Sequence, residues 1–426
     1  MESMESDSGM SAGDKGFRRI DYLKITVFGF ALAALWSSLH SIILPVRLLD
    51  FVAESQKNTY LGLLTLAGLV IAVAWQPIAG MISDRSGFGW GRRRPYILLG
   101  TILVLLFLPG LGFSSSYMAV FAIYCLMQIS GNTAQGGYQG FIPDLVPQRK
   151  RGLASGVKIL LEIGGGIALI GIVGPLMDHY FAGEGSSWLW LSLGLLAIIL
   201  LGTMIATVLT VKERPGTGGP KLSVPSALYK TFKIDVKANR DFVWFLVSRL
   251  FIVMAFAPLQ TFTLYFVKDV AGVANPAEVT ANLFVVVGVS MLAVIYPAGR
   301  LSDRVGRKPI AVFSGLLGAS GVLLLYLFHS YGMIMFACIL LGISTGAFFS
   351  TNWAMATDLV VEGEEARYLG LTNLATAGGA ALARLIGPII DFSNSFSPGL
   401  GYSIMLLVSF VYFLIGSGLL LKIRVR

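Results

Sequence analysis

The sequence predicts an all-α membrane protein with twelve transmembrane helices in two pseudo-symmetric six-helix halves. The chain has 426 residues, of which 55% are hydrophobic and only 13% are charged. This composition excludes an ordinary water-soluble globule. Twelve apolar stretches have the length of about 20 residues that crosses a hydrocarbon core about 30 Å thick. Two segments of the first half also recur in the second half.

The apolar stretches are continuous, which favours helices over a closed β-barrel, whose strands alternate in hydrophobicity over short segments. The first stretch is too long for the core of a signal peptide, and no small-residue cleavage site follows it. We therefore expect it to remain as the first span. The predicted spans are residues 25–48, 59–82, 96–115, 117–142, 153–177, 188–211, 242–266, 280–299, 310–328, 332–356, 368–390 and 401–421.

The basic residues predict the orientation of the chain. When the loops are assigned alternately to two sides, the side of the amino-terminal tail receives 26 of the 32 Lys and Arg residues. The positive-inside rule then predicts a multi-pass protein of the cytoplasmic membrane with both termini in the cytoplasm. Because these charges are dispersed over loops beside lipid headgroups, the net charge of +9 does not indicate nucleic-acid binding. The predicted units are a tail at 1–24, a bundle at 25–211, a linker at 212–240, a bundle at 241–421 and a tail at 422–426.

An internal repeat relates the two halves. In residues 143–178 the strings PDLV, GG and GPLMD match TDLV, GG and GPIID in residues 357–391. An earlier match pairs GMISDRSGFGWGRRRP at 80–95 with GRLSDRVGRKP at 299–309. Six spans separate the copies, so both halves start from the same side and are related by an axis along the membrane normal.

The repeated pattern G-x-x-S-D-R-x-G-R-K/R resembles the signature of the major facilitator superfamily in the loop between spans two and three. The resemblance covers the whole chain and implies transport by alternating access, with spans one, four, seven and ten lining a central cavity. It also implies that Asp84 meets the start of span eleven, and Asp303 the start of span five, when the protein opens outward.

The residue types of this motif have a physical reason. Gly80 and Gly299 leave room for a neighbouring helix, and Asp84 and Asp303 can accept hydrogen bonds from the positive end of that helix. The basic residues that follow either pair with carboxylates at the ends of spans four and ten or only enforce the topology. The predicted conformational latch comprises Gly80, Asp84, Arg85, Arg92, Arg93, Asp144, Gly299, Asp303, Arg304, Arg307 and Asp358.

Span four carries four amide side chains at steps of four, three and four residues, which places them on one helix face. Such a stripe is costly in lipid, so it either lines a cavity or makes interhelical contacts worth about 0.6–2 kcal/mol each. Amides facing aromatic rings suit a sugar-like ligand. His40 is either a structural hydrogen-bonding residue or part of the cavity. The candidate substrate-binding residues are Trp36, His40, Gln128, Asn132, Gln135, Gln139, Gln260, Tyr265, Phe349, Asn352 and Trp353.

The segment QISGNTAQGGYQGFIPDL at 128–145, together with GRRRP at 91–95, resembles sucrose transporters and their bacterial relatives. Residues Asn132, Thr133, Gln135, Gly136, Asp144 and Leu145 match the fourth-span pattern of that family. The family's membrane Asp and Arg fall on Gln128 and Gln139, so the roles that the resemblance implies for those two charges do not transfer to this chain unchanged.

Four charged residues inside the spans form the predicted coupling set: Lys158, Glu162, Arg249 and Arg384. Glu162 is the candidate proton carrier, because a shielded carboxyl group can exchange protons near neutral pH. The alternative is a plain ion pair between Glu162 and Lys158, four residues earlier. Arg249 either snorkels to the interface or stays inside the protein. Arg384 lies too deep to snorkel and needs a partner or an anionic ligand.

These features predict a secondary active transporter of a small polar solute, a saccharide or glycoside, coupled to protons. The alternatives are an exporter of amphipathic or organic-anion compounds and a non-transporting sensor or helper with the same fold. No Walker A pattern or catalytic cluster is apparent in the sequence, so we expect no enzyme activity and no cofactor or metal. Cys125 and Cys338 are expected to be packing residues in separate spans. The expected partners are the solute, protons and lipid, and the expected state is a monomer.

Overall fold

A computed structural model describes residues 17–213, 239–359 and 365–423, and the side chains of all of these except 365–367. The predicted tails and the linker lie partly or largely outside these ranges. The described residues form twelve long helices: α1 Arg19–Leu48, α2 Lys57–Asp84, α3 Arg94–Phe113, α4 Tyr117–Gln139, α5 Arg151–Phe181, α6 Ser187–Thr210, α7 Arg240–Asp269, α8 Pro276–Val305, α9 Arg307–Leu327, α10 Tyr331–Asp358, α11 Glu365–Arg384 and α12 Leu400–Leu420. Short helices at Phe141–Leu145 and Gly387–Asn394 follow α4 and α11.

The prediction of an all-α membrane protein is confirmed. In the described part of the chain, eleven helical segments are long and apolar enough to cross a membrane. Helix α4 is not among them, because its polar residues lower its mean hydropathy. Large apolar side chains such as Phe113, Ile198 and Leu209 are exposed on the surface, which is expected where lipid is the solvent.

The helices form two six-helix bundles. In the first bundle α1 packs on α5, and α4 packs on α2 and α3. The second bundle repeats this arrangement, since α7 contacts α11 and α10 contacts α8 and α9. The bundles meet where α5 packs on α8 and where α2 packs on α11 and the short helix at Gly387–Asn394, and the π-helical turn of α1 also contacts α7 and α8.

Proline residues explain the two irregular points near the centre. Pro45 has no N–H to donate to the carbonyl group four residues earlier, and α1 relaxes into a π-helical turn at Leu39–Ile43 that contains His40. Pro388 likewise cannot donate to the carbonyl group of Arg384, and α11 ends there before the chain continues at Gly387–Asn394. Both irregularities lie beside the central cavities described below.

Candidate functional site

A polar cavity of about 350 Å³ lies near the middle of the helices. Helices α1, α2, α4 and α5 line it, and the second bundle contributes one residue, Arg384 at the end of α11. The side chains of the polar cavity that carry hydrogen-bonding groups are Trp36, His40, Thr65, Gln76, Tyr124, Gln128, Asn132, Gln135, Glu162 and Arg384. Three of the four predicted amides of α4 therefore face this cavity.

A hydrogen-bond network fixes the groups of the polar cavity. The Tyr124 hydroxyl lies 2.8 Å from Nε2 of His40 and accepts a hydrogen bond of 2.7 Å from Nε2 of Gln128. Asn132 Nδ2 donates to Oε1 of Gln128 at 3.1 Å, which sets the orientation of the glutamine amide. Gln128 Nε2 also lies 3.4 Å from His40 Nε2. Two potential donors therefore point at this nitrogen, an arrangement that suits a neutral imidazole protonated at Nδ1.

Two glycines make room for the aromatic side chains of this network. The Trp36 ring stacks on His40 with centroids 5.4 Å apart, and a Cβ atom on Gly131 would lie 2.5 Å from the indole. A Cβ atom on Gly68 would overlap the Tyr124 hydroxyl. The position of both rings thus depends on close helix crossings.

The predicted pair of Lys158 and Glu162 forms, with 3.6 Å between Nζ and Oε1. Both side chains are partly exposed, and Glu162 faces the polar cavity. The Lys158 ammonium also lies 5.3 Å from the centre of the Tyr138 ring. Glu162 is therefore both ion-paired and open to the cavity, so the two interpretations of this residue are compatible.

An apolar cavity of about 390 Å³ lies within the second bundle. Its walls are mostly aromatic and aliphatic, and Gln260, Thr263, Thr345, Thr376 and Arg384 supply the polar groups. Phe349, a predicted binding residue, lines it as well. A third cavity of about 330 Å³ between α1, α5, α7 and α8 includes both Glu162 and Gln260. The central region is therefore polar on one side and apolar on the other.

Arg384 belongs to both the polar and the apolar cavity. Its Nη1 donates to the carbonyl oxygen of Ala380 at 2.6 Å, while its Nε is buried without a hydrogen-bond partner. Across the described ranges no carboxylate forms an ion pair with it. Among the described residues, the group that compensates this charge is a carbonyl oxygen at the negative end of α11.

Arg249 is held differently. Its side chain is 3% exposed, so it does not snorkel to the interface. Its Nε donates to the Thr376 hydroxyl at 2.7 Å, and its Nη1 contacts the side-chain oxygen of Asn352. The rings of Phe349 and Trp353 lie 5.7 and 5.9 Å from the guanidinium carbon. Arg249 therefore ties α7, α10 and α11 together.

Four predicted binding residues lie outside the three cavities. Gln139 is exposed at the end of α4. The Tyr265 hydroxyl is buried and donates to the carbonyl oxygen of Pro45 at 2.8 Å. Asn352 binds Arg249, and Trp353 is exposed beside it. In these four cases the position on the helix was consistent with a cavity, but neighbouring helices determine the actual contacts.

Three hydrogen-bonding residues of the polar cavity are absent from the set predicted from the sequence. Tyr124 precedes Gln128 by one helical turn and so extends the polar stripe of α4, but its hydroxyl was not counted with the amides. Thr65 and Gln76 lie on α2, a helix that the resemblance did not assign to the cavity. The isolated amide of Gln76 in an apolar span was the available signal.

One face of the protein carries the basic loops between α2 and α3 and between α8 and α9, and we call it the basic face. There Arg93 Nε lies 2.9 Å from Asp144, Arg92 Nη2 lies 2.5 Å from the same carboxylate, and Arg307 Nε lies 2.9 Å from Asp358. The structure thus contains the pairs considered between these arginines and the ends of α4 and α10. Each pair stays within one bundle.

The two latch aspartates also stay within their own bundles. Asp84 forms an ion pair with Arg93, and Asp303 lies 4.0 Å from Arg307. Their side chains are 50% and 67% exposed. Among the residues that the structure describes, neither carboxylate contacts α11 or α5, the contacts that the resemblance implies for an outward-open form.

The glycines and remaining arginines of the motif surround these aspartates. Gly80 faces the Gly136 carbonyl oxygen of α4, and Gly299 faces the Ser350 hydroxyl of α10. Arg85 follows the end of α2, and Arg304 is exposed in the last turn of α8.

The opposite face joins the bundles through the repeated motifs GPLMD and GPIID. The Asp178 carboxylate accepts hydrogen bonds from the backbone N–H groups of Ala277 and Glu278, at 2.8 and 2.5 Å, and so caps α8. The Asp391 carboxylate accepts from the N–H groups of Asn58 and Thr59, at 3.3 and 2.6 Å, and so caps α2. Each copy of the repeat therefore binds the positive end of a helix in the other bundle.

Other contacts strengthen this closure. A Cβ atom on Gly174 or Gly387, the glycines of the two motifs, would overlap α8 or α2. Lys57 Nζ lies 2.7 Å from Asp269, and Lys268 pairs with Glu54. In the described part of the chain, all hydrogen bonds and ion pairs between the bundles lie at this face.

Comparison with known proteins identifies the family. A family model described as MFS/sugar transport protein matches residues 28–421. The chain belongs to this family. It is therefore a multi-pass transport protein of the major facilitator superfamily and not an enzyme, and the resemblance to sucrose transporters is confirmed at the level of the family.

Individual relatives are more distant. The chain is 24% identical over 373 residues to a lactose permease of Leuconostoc lactis, a match covering 82% of this chain and 56% of the permease. It thus spans little more than half the length of that relative. A sucrose transport protein of Oryza sativa subsp. japonica is 30% identical over 114 residues, which are 22% of this chain and 21% of that protein. A D-xylose-proton symporter superposes with a TM-score of 0.71 at 16% identity, covering 95% of this chain and 98% of the symporter, and shows the shared fold.

The crossing at Gly68 gives a test of the polar cavity. We expect Gly68→Ala to destabilise the protein by about 1–3 kcal/mol, because the added methyl group displaces Tyr124 from His40 and Gln128. The apparent Tm of the purified protein in detergent measures this. Gly194→Ala on α6 is the matched control, since a Cβ atom there has nothing within 4 Å. Equal Tm values for the two variants would contradict the described packing.

Proposed function

We propose that this protein moves a saccharide or glycoside across the cytoplasmic membrane by alternating access, with uptake coupled to protons. The single observation that carries the proposal is the polar cavity, in which amide, hydroxyl and imidazole groups surround about 350 Å³ near the middle of the helices. Amides and hydroxyls can both donate and accept hydrogen bonds, as a saccharide requires. The volume of the polar cavity lies within the range of about 300–1,000 Å³ typical of small-molecule sites.

The aromatic groups of the cavity support the same ligand class. Trp36 lies beside His40 and presents a partly exposed ring to the cavity. A sugar has an apolar C–H face that can pack on such a ring while its hydroxyl groups reach the amides of α4. The names of two relatives, a lactose permease and a sucrose transport protein, agree with a saccharide substrate.

Two sets of contacts support alternating access. The face closed by Asp178 and Asp391 is the side opposite the basic loops, so the positive-inside rule makes it the outer face. Asp84 and Asp303 on the basic face are exposed and paired within their own bundles, and in this proposal they bind the other bundle when the outer face opens. In this proposal the present structure is the inward-open form, with both described ends of the chain in the cytoplasm.

Glu162 is the proposed proton carrier. It faces the polar cavity and the cavity between the bundles, and its charged neighbour is Lys158. A proton on Glu162 would neutralise its carboxylate and leave the positive charge of Lys158 unpaired. The carboxyl group would exchange this proton with water on whichever side of the membrane the cavity is open to. The gradient that drives transport would act at this point.

Proton coupling can be measured in proteoliposomes. We expect a proton gradient directed inward, with the outside one pH unit more acidic, to drive up to about tenfold accumulation of a labelled saccharide by the native protein. One pH unit corresponds to about 1.4 kcal/mol. Glu162→Gln should still exchange the saccharide but should not accumulate it. The matched control is Glu184→Gln, which removes an exposed carboxylate paired with His179. This variant should accumulate the saccharide normally. Accumulation by Glu162→Gln at the native level would remove this residue from the coupling mechanism.

The carboxylate caps of Asp178 and Asp391 should stabilise the inward-open form relative to the outward-open form. Loss of a carboxylate cap costs about 0.5–2 kcal/mol, so Asp178→Ala with Asp391→Ala should shift the equilibrium toward the outward-open form by about fivefold or more. Spin labels at positions 184 and 330, in a background without Cys125 and Cys338, should show a longer distance across the outer face.

Asp50→Ala serves as the control for this experiment. Asp50 is a carboxylate on the same face, and its partners Arg47 and Tyr180 belong to its own bundle. An unchanged distance distribution in the double variant would show that the caps do not hold the outer face closed.

A further inference from the structure

We propose that the transported solute is an amphipathic glycoside with one carboxylate group, which binds Arg384 while its sugar occupies the polar cavity and its apolar aglycone the apolar cavity. This inference rests on the proposed function and narrows its substrate class. The observations that carry it are the charge balance of the cavities, the incomplete solvation of Arg384 and the different polarity of the two cavities that meet at this residue.

The charge balance leaves one positive charge in the central region. Among the described residues that line the three cavities, Glu162 and Arg384 are the charged ones. Lys158 neutralises Glu162 through their ion pair. Arg384 then remains as an uncompensated cation, which is costly away from water.

The hydrogen bonds of Arg384 show what it lacks. A guanidinium group has five N–H donors, and one described bond uses Nη1, to the carbonyl oxygen of Ala380. Nε is buried without a partner. A planar carboxylate can accept two parallel bonds from such a fork, which a neutral hydroxyl group cannot.

Arg249 lies in the same bundle as Arg384 but does not lack hydrogen-bond partners. Thr376 and Asn352 accept its hydrogen bonds, and aromatic rings cover it on α10. It lines none of the three cavities. Arg249 is thus satisfied by the protein, whereas Arg384 faces the space where a ligand can bind.

The apolar cavity determines the rest of the ligand. Its walls include Phe256, Phe284, Met291, Leu341 and Met405. The hydroxyl groups of a second sugar would find few partners there, and burying an unpaired hydroxyl is unfavourable. An aryl or alkyl group would gain about 25 cal/mol for each Å² of its apolar surface removed from water. A solute with a polar end, an acidic group and an apolar end therefore fits the two cavities together.

The test uses ligands that differ in one group at a time. Binding of nitrophenyl β-glucuronide, nitrophenyl β-glucoside and free glucuronate to the purified full-length protein is measured by isothermal titration calorimetry. The native protein should bind the aryl glucuronide about tenfold or more tightly than either of the other two, because each of these lacks one recognised group. Equal or tighter binding of the aryl glucoside would overturn the role of the acid, and equal binding of free glucuronate would overturn the role of the apolar cavity.

Arg384 variants link the preference to this residue. In Arg384→Gln the ratio of affinities for the aryl glucuronide and the aryl glucoside should fall from about ten to about one, and Arg384→Lys should keep part of it. A ratio that stays near ten in Arg384→Gln would place the acid elsewhere and overturn the proposal. If Arg384→Gln does not fold, Arg384→Lys alone decides, since a ratio unchanged from the native protein would exclude recognition by the guanidinium fork.

The same ligands separate this inference from the proposed function. Transport of neutral saccharides without a preference for the acid would retain the proposed function and refute the inference. Binding of nitrobenzoate as tightly as the aryl glucuronide, with no neutral saccharide bound or transported, would show that the sugar is not recognised and would refute both the saccharide function and the glycoside part of the inference.

Discussion

A polar side chain inside a membrane needs a partner other than lipid, and the central region of this protein follows from that constraint. Helix α4 carries Tyr124, Gln128 and Asn132 at successive turns, and the first two of these meet His40 of α1. Because hydrocarbon offers no hydrogen bonds, the helix can only be oriented with this stripe toward the protein interior. The rotation of α4 therefore determines where the polar cavity lies. The glycines at its crossings then determine how closely the aromatic rings approach.

The fold could be predicted from the sequence because hydrophobic length and charge bias act locally. The predicted spans agree with the helices to within a few residues at most ends, and the amide stripe of α4 was visible from spacing alone. Contacts between helices were less accessible. Periodicity placed Asn352 and Trp353 on a plausible face of α10, but it could not show that Arg249 of another helix would engage them. In the same way, nothing local to Gly68 indicates that it must leave room for a tyrosine hydroxyl.

The two halves still resemble each other in the contacts that close the face opposite the basic loops. They no longer resemble each other in the residues that line the cavities. Asp178 and Asp391 occupy equivalent positions, and each caps a helix of the other bundle. The repeat alone showed that these carboxylates recur, but not that they reach across. The equivalent central positions have diverged instead, since the first bundle supplies amides and the second supplies aromatic and aliphatic groups. On the proposed function, symmetry is retained where the two halves would move against each other, whereas an asymmetric solute would require different groups on its two sides.

The break in α11 connects the two kinds of site. Arg384 ends this helix beside the cavities, and Asp391 lies seven residues later on the short helix that caps α2. Gly62 and Gly387 let α2 approach this segment closely, since a Cβ atom on either would meet a backbone carbonyl group of the partner. On the proposed function, a ligand that binds the guanidinium group therefore acts on the same stretch of chain that closes the face opposite the basic loops. Because Pro388 removes a backbone hydrogen bond within that stretch, the two segments of the helix can change their angle at low cost. On the proposed function, the charge of the solute and the closure of the outer face are coupled through this one element.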